Sequence, residues 1–160
     1  MKFARILVTF VATVSALLVA PLSNAAQPDT QQDQWFLESD AVPNDVWDQT
    51  NWAWNPDYPV IPHPHHDGAN QKWYWPGDGT IRNVQYGWCV TSLEGKLAGR
   101  ECGAFPYQKW DFMDRENWRV WLIRLEGTDD CVTHNGTYKE LILAECQDRR
   151  TDQKWIIGRA

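Results

Sequence analysis

The chain has 160 residues, a net charge of −6 and more acids than bases (21 against 15), a balance that disfavours nucleic-acid backbones as partners. Its length suits one domain with a single core. Eleven tryptophans are unusual at this length, and four cysteines make the redox compartment part of the argument.

Residues 1–25 read as a secretory signal peptide. Lys2 and Arg5 form a positive head, Ile6 to Ala20 an apolar stretch, and Ser23-Asn24-Ala25 a small-residue cleavage site. The stretch is shorter than a comfortable membrane span, so no membrane span is expected. No cysteine follows it, which excludes the usual bacterial lipoprotein attachment. Cleavage near Ala25 removes two bases and no acids, taking the net charge from −6 to −8. The expected destination is extracellular, after a polar, mobile lead-in over residues 26–33.

From Gln34 to Asn70 the chain carries Trp35, Phe36, Trp47, Trp52, Trp54 and Tyr58 among five prolines and three of the four histidines. No strand or helix period persists here. Pro56, Pro59, Pro62 and Pro64 predict an extended, polyproline-like surface loop in place of a sheet interior. The run His63-Pro64-His65-His66-Asp67 holds metal-ligand chemistry. Adjacent histidines diverge on an extended backbone, however, so the expectation is an exposed loop with incidental histidines, no metal and no cofactor.

Further on the chain repeats itself. Gln71-Lys72-Trp73, Gln108-Lys109-Trp110 and Gln153-Lys154-Trp155 recur at intervals of 37 and 45 residues. On a strand, residues two apart share a face, so each Gln and Trp is expected inward with Lys in water. Ile81-Arg82 precedes Cys89-Val90-Thr91 by eight residues, and Ile123-Arg124 precedes Cys131-Val132-Thr133 by the same eight. Cys102 and Cys146 then stand six and seven residues before the next Gln-Lys-Trp. Strands are expected over Ile81–Val84, Cys89–Thr91, Gln108–Phe112, Trp118–Leu125 and Leu141–Ala144, the last buried, with a hairpin signal at Asn135-Gly136. No amphipathic helix is evident.

This order of strand, Cys, turn, Cys and Gln-x-Trp resembles the ricin B-type lectin domain, well over residues 80–157 and more loosely back to about 33. The resemblance implies an all-β fold, a β-trefoil of three four-stranded repeats at about 34–79, 80–117 and 118–160, the first divergent. Within that scheme the repeats favour Cys89–Cys102 and Cys131–Cys146 over the other pairings that four cysteines allow. Spacings of thirteen and fifteen match no usual short-loop zinc pattern. Ungapped, Trp47 falls where Cys89 stands, so an indole is expected to replace the missing disulfide.

Catalysis has little to stand on. There is no Gly-x-Ser-x-Gly elbow and no His-Glu-x-x-His; the paired acids Asp129-Asp130 and Asp111/Asp114 have the residue types for glycoside hydrolysis, but turn chemistry explains Asp129-Asp130 better. No enzyme is expected.

Binding is the remaining class. In sugar-binding members of the resembled family an Asp two residues after the first Cys accepts sugar hydroxyls. An aromatic stacks on the ring, and an Asn precedes Gln-x-Trp. Here the Asp position holds Thr91 and Thr133, and the Asn position holds Tyr107 and Asp152. The first repeat keeps Asn70, with Asp45 and Asp48 both candidates for its acid. Trp52-Ala53-Trp54, Asn70-Gln71-Lys72-Trp73, Gly79-Thr80-Ile81-Arg82 and Gly87-Trp88-Cys89 are also similar to the A subunit of cytolethal distending toxin. That similarity implies a non-catalytic subunit that binds the host surface and holds a nuclease.

Trp73, Trp110, Trp155 and Trp121 are expected in the core. Trp47, Trp52, Trp54, Tyr58, Trp75 and Trp88, beside prolines and turns, are expected nearer the surface. The candidate binding set is Trp52, Trp54, Tyr58, Asn70 and Trp75. The expected function is a secreted carbohydrate-binding module recognising glycans or glycoproteins. The alternative is the targeting or scaffold subunit of a multi-subunit toxin with a catalytic partner. Asn135-Gly136-Thr137 fits the N-glycosylation pattern, which matters only in a eukaryotic source.

Overall fold

Short β-branched and aromatic runs, cut by Gly, Pro, Asn and Asp turns, yield twelve strands and no α-helix over the described residues, 32–51 and 57–160, of a computed structural model. The leader, residues 26–31 of the lead-in, Trp52 and Trp54 lie outside the described residues. The first unit comprises β1 (Trp35–Ser39), β2 (Asp45–Gln49), β3 (Val60–Pro64) and β4 (Trp73–Tyr74). The second comprises β5 (Arg82–Asn83), β6 (Cys89–Leu93), β7 (Lys96–Arg100) and β8 (Trp110–Asp114). The third comprises β9 (Val120–Leu125), β10 (Asp130–Thr133), β11 (Ile142–Glu145) and β12 (Lys154–Arg159).

Every unit contributes one hairpin from its two middle strands: β2–β3, β6–β7 and β10–β11. The outer strands join unit to unit through β4–β5, β8–β9 and β12–β1, so the sheet returns to its start. The fold is an all-β trefoil. No helix among the described residues is long and apolar enough to cross a membrane.

The three Gln-Lys-Trp stretches hold this arrangement together. Trp73 and Trp155 are fully buried and Trp110 nearly so. Each indole N–H donates to a strand carbonyl of its own unit: Trp73 to Trp47 O (3.1 Å), Trp110 to Val90 O (3.0 Å) and Trp155 to Val132 O (3.1 Å). Each Gln ends a short 3-10 turn (Ala69–Gln71, Pro106–Gln108, Thr151–Gln153) and is buried, instead of lying on the strand as expected. Gln and Trp therefore face inward by a turn followed by a strand.

Those indole bonds also correct the alignment of the first unit. Trp47 receives the Trp73 indole as Val90 and Val132 receive theirs, so Trp47 corresponds to Val90, and Val46 corresponds to Cys89. Trp47 does not replace a disulfide. It is fully buried at the centre, edge-on to Trp73 (6.0 Å) and Trp155 (5.3 Å), and not near the surface. Its own indole N–H has no partner, a cost of about 1–3 kcal/mol that burial of the large ring offsets.

Pro56 lies outside the described residues, but the later part of the proline-rich stretch, Val60–Pro64, is a strand and not a surface loop. β3 pairs with β2 over five positions, from Asp45↔Pro64 to Gln49↔Val60, and Val60, Ile61 and Pro62 are buried. His65 N–H donates to Asn44 O (2.9 Å) and Thr50 N–H to Pro59 O (3.0 Å), which sets the phase of the ladder. Pro62 and Pro64 then fall at positions whose N–H would point away from β2, and no ladder bond is lost. Two smaller expectations also change. Trp121 is half-buried, and Trp118 precedes its strand in a left-handed turn (φ 68°). Leu141 is buried, but Ile142, Leu143 and Ala144 are only half-buried.

Both disulfides form as the repeats imply, Cys89–Cys102 and Cys131–Cys146, with Cα separations of 5.0 and 4.9 Å. Each closes a loop whose reduction removes about 3 kcal/mol on the chain-entropy model. The β4–β5 connection is fixed differently, through Asp78. Thr80 donates to Asp78 Oδ1 from both N–H (3.0 Å) and hydroxyl (2.6 Å), and Arg82 Nη2 donates to Oδ2. Partial burial raises the Asp78 pKa, but the Thr80 and Arg82 bonds outweigh it and bring it down to about 2.

Trp110→Ala and Trp155→Ala should each cost about 3–5 kcal/mol and lower the melting temperature sharply, as followed by calorimetry. Asp78→Asn should destabilise at neutral pH. Because the folded pKa is depressed, this contribution is present above the usual carboxylate range and is lost as pH falls towards about 2. Melting curves of the two proteins should therefore converge at the acid end.

Candidate functional site

Asp48 lies on β2 one residue beyond Trp47, the place that Thr91 and Thr133 hold in the other units. There the threonine hydroxyl accepts a bond from the unit's own glutamine, Gln108 Nε2 to Thr91 (2.9 Å) and Gln153 Nε2 to Thr133 (3.1 Å). In the first unit Gln71 turns its amide to the β3 exit, donating to Pro64 O (3.1 Å) and accepting from His66 N–H (2.8 Å). The Asp48 carboxylate is left for other partners. Asn70 Nδ2 donates to Oδ1 (2.8 Å) and His66 Nε2–H donates to Oδ2 (3.1 Å). The Asp48 side chain is only 6% exposed, against 44% for His66.

These residues border a cavity of about 480 Å³, together with Asn51, His63, Tyr86 and Tyr138. The His63 ring stands edge-on to Tyr138 (5.0 Å) and to His66 (5.2 Å). His63 Nδ1–H donates to Pro64 O (2.8 Å), which leaves Nε2 as the acceptor of that ring. Burial, and then the Asp48 charge, push the Tyr86 phenol up, so it remains a neutral donor. Gly68 permits the convergence: a Cβ there would stand 2.4 Å from Asn70 Oδ1 and 2.6 Å from His66 Cε1.

The other units have no such cluster. Thr91 and Thr133 carry no charge, Tyr107 takes the place of Asn70 in the second unit, and Asp152 takes it in the third. Asp152 is claimed by Arg150, whose Nε and Nη2 donate to it at 2.9 and 2.6 Å and hold its carboxyl below the usual range. The alternative acid, Asp45, is also engaged. His134 Nε2–H (3.0 Å) and the Thr137 hydroxyl (2.6 Å) both donate to its Oδ2, in a buried link between the first and third units.

Of the sequence-predicted set, Asn70 alone borders this cavity among the described residues. Tyr58, half-buried with φ 47°, packs against Trp88 (4.5 Å). Trp75 stacks on Trp35 (5.5 Å) and lines a separate apolar cavity of about 310 Å³ with Phe112, Trp118, Trp121 and Ile157. Trp118 there is 78% exposed. Sequence reasoning missed His63 and His66 as partners of Asp48, because a β2–β3 pairing was not expected across the prolines. It also missed Trp118, whose flanks Asn117 and Arg119 were the available sign of exposure.

The family model of the ricin-type beta-trefoil lectin domain matches residues 29–155. No curated protein matches the chain. Among solved structures, a mosquitocidal holotoxin aligns with a TM-score of 0.70 and 15% identity over 81% of this chain, which spans only 17% of that toxin chain. The Macrolepiota procera ricin B-like lectin in complex with lactose aligns with a TM-score of 0.66 and 20% identity, over 81% of this chain and 96% of its own. The C-half of the earthworm R-type lectin in complex with GalNAc gives a TM-score of 0.66 and 16% identity, over 80% and 99%. With the family model matching most of its length, the chain belongs to the ricin-type β-trefoil lectin domain family.

Proposed function

We propose that the chain is a secreted, non-catalytic module that binds glycans, and that the first-unit cavity is its principal site. The observation that carries this reading is the Asp48–Asn70 pair, a nearly buried carboxylate fixed by an amide at 2.8 Å. A carboxylate has about four acceptor positions, and Asn70 and His66 use two. The remainder are open to hydroxyl donors, while the His63 and Tyr138 rings supply apolar surface for sugar C–H groups. Membership of a lectin domain family, and the lactose and GalNAc bound by two of its structural neighbours, support the same class. Two disulfides and the leader-like residues 1–25 support export.

Trp52 and Trp54 belong to this proposal by sequence, since Asn51 on the cavity wall immediately precedes them.

A second reading is favoured by the exposed Trp118 and the aromatic cavity beside it, which suit a protein partner. On that reading the chain is the targeting or scaffold subunit of a secreted toxin, the role that the sequence resemblance to the A subunit of cytolethal distending toxin implies. A nuclease encoded next door that co-elutes with this protein, and ceases to do so with Trp118→Ala, would support it. Solitary encoding and monomeric behaviour in the culture supernatant would sink it.

A glycan array on the purified protein tests the first reading, and a blank array at high protein concentration removes it. Hydrogen bonds to charged groups are worth about 1.5–3 kcal/mol, so Asp48→Asn and Asn70→Ala should each lower glycan affinity roughly tenfold to a hundredfold. Trp52→Ala and Trp54→Ala should reduce binding while changing the melting temperature far less than Trp110→Ala does. Undiminished binding by Asp48→Asn would move the site out of the first unit.

A further inference from the structure

We infer that Asp48, His63 and His66 form a binding site for a late first-row divalent cation, of the zinc, nickel or copper class. The sequence alone argues against it, because neighbouring histidines diverge on an extended strand. They do: His65 turns to Phe36 (4.3 Å between rings), away from His66. The three groups meet for a different reason. β2 carries Asp48, β3 carries His63 on the neighbouring strand, and the turn after β3 brings His66 back over Asp48.

One ligand atom from each of the three residues lies within 4.8 Å of the others. Around a tetrahedral zinc with bonds near 2.0 Å, ligand atoms stand about 3.3 Å apart. The His66 Nε2 to Asp48 Oδ2 separation of 3.1 Å is already close to that spacing. The His63 ligand atom lies within 4.8 Å of both, so closure asks it to move inward by no more than about 1.5 Å.

The supporting contacts suit the role. His63 Nδ1–H donates to a backbone carbonyl, which fixes the tautomer with Nε2 free to ligate. Asn70 Nδ2 orients the carboxylate through its other oxygen. In the metal-free arrangement the proton on His66 Nε2 bridges to Asp48. On loading, the cation takes that place and the proton passes through solvent to Nδ1. The Gly68 N–H contact to Nδ1, long at 3.2 Å and exposed, opens to allow it.

Two imidazoles and one carboxylate favour zinc, copper or nickel over calcium or magnesium, whose shells are built from oxygen. Three protein ligands leave at least one coordination position for water or an incoming hydroxyl.

The site does not depend on the glycan reading, because the cation is titrated without sugar. Calorimetric titration of the purified protein, free of any polyhistidine tag, with zinc chloride should show saturable uptake of one ion per chain. Calcium chloride should show none. His63→Ala and His66→Ala should each weaken zinc binding about tenfold or more, and the double variant should abolish it. Metal-free melting curves establish that the variants fold. On the unaltered protein, diamagnetic zinc should shift the His63 and His66 imidazole resonances far more than those of His134. No one-to-one uptake of zinc, or uptake that survives in the double variant, would overturn the assignment. A metal titration that succeeds beside a blank glycan array would separate the two readings in favour of the metal site.

Discussion

The fold depends on one repeated contact, a buried glutamine amide and a buried indole on either side of a lysine. The indole N–H ties the last strand of its unit to the second through a backbone carbonyl, with distances of 3.0–3.1 Å in all three units. The glutamine joins the loop that follows the hairpin to the 3-10 turn preceding that strand. Gln71, Gln108 and Gln153 each accept a loop N–H at 2.8 Å, from His66, Gly103 and Gln147. Both groups are buried, so leaving either unpaired would cost far more than the bond itself contributes. Local turn and central packing therefore form together, three times.

That contact also fixes which residues correspond. The loop N–H donors align His66 with Gly103 and Gln147, so His65 stands where Cys102 and Cys146 stand. The indole acceptors put Val46 where Cys89 and Cys131 stand. In the first unit the disulfide is thus replaced by Val46 and His65, which border one small cavity of about 100 Å³ with Phe36. In place of a covalent link, His65 packs edge-on against Phe36 with ring centroids 4.3 Å apart.

The repeated units were legible in the sequence because their signals are local. A tripeptide and a cysteine pair keep nearly constant offsets within the second and third units; the repetition favours the disulfide pairing, and the family resemblance those motifs carry implies the trefoil. The first unit was not legible. The indole-to-acceptor spacing is 26 residues there, against 20 and 23 in the others, so an ungapped comparison misplaced Trp47. The prolines were read by composition, whereas their effect depends on the phase of the β2–β3 ladder, which no single stretch reveals. Asn70 was found from its place beside Gln71. Its acid, 22 residues away across a hairpin, was narrowed only to Asp45 or Asp48.

The divergent unit is also the one with an open carboxylate, and the two facts share a cause. With threonine at the strand centre, the glutamine spends a bond on the hydroxyl, and the site is closed by the repeat's own structure. With Asp48 there, the glutamine bonds only the loop, and the carboxylate must be satisfied from outside the clamp. Asn70 and His66 do this, both reaching past Gly68, where no side chain stands in the way. The prolines then do more than permit the strand. Pro64 lends its carbonyl to both Gln71 and His63, so the loop that presents the histidines is held by the same amide that organises the fold. The cluster at Asp48 is built on the structural repeat, with an aspartate in place of threonine turning a closed internal bond into a nearly buried acceptor that borders a cavity.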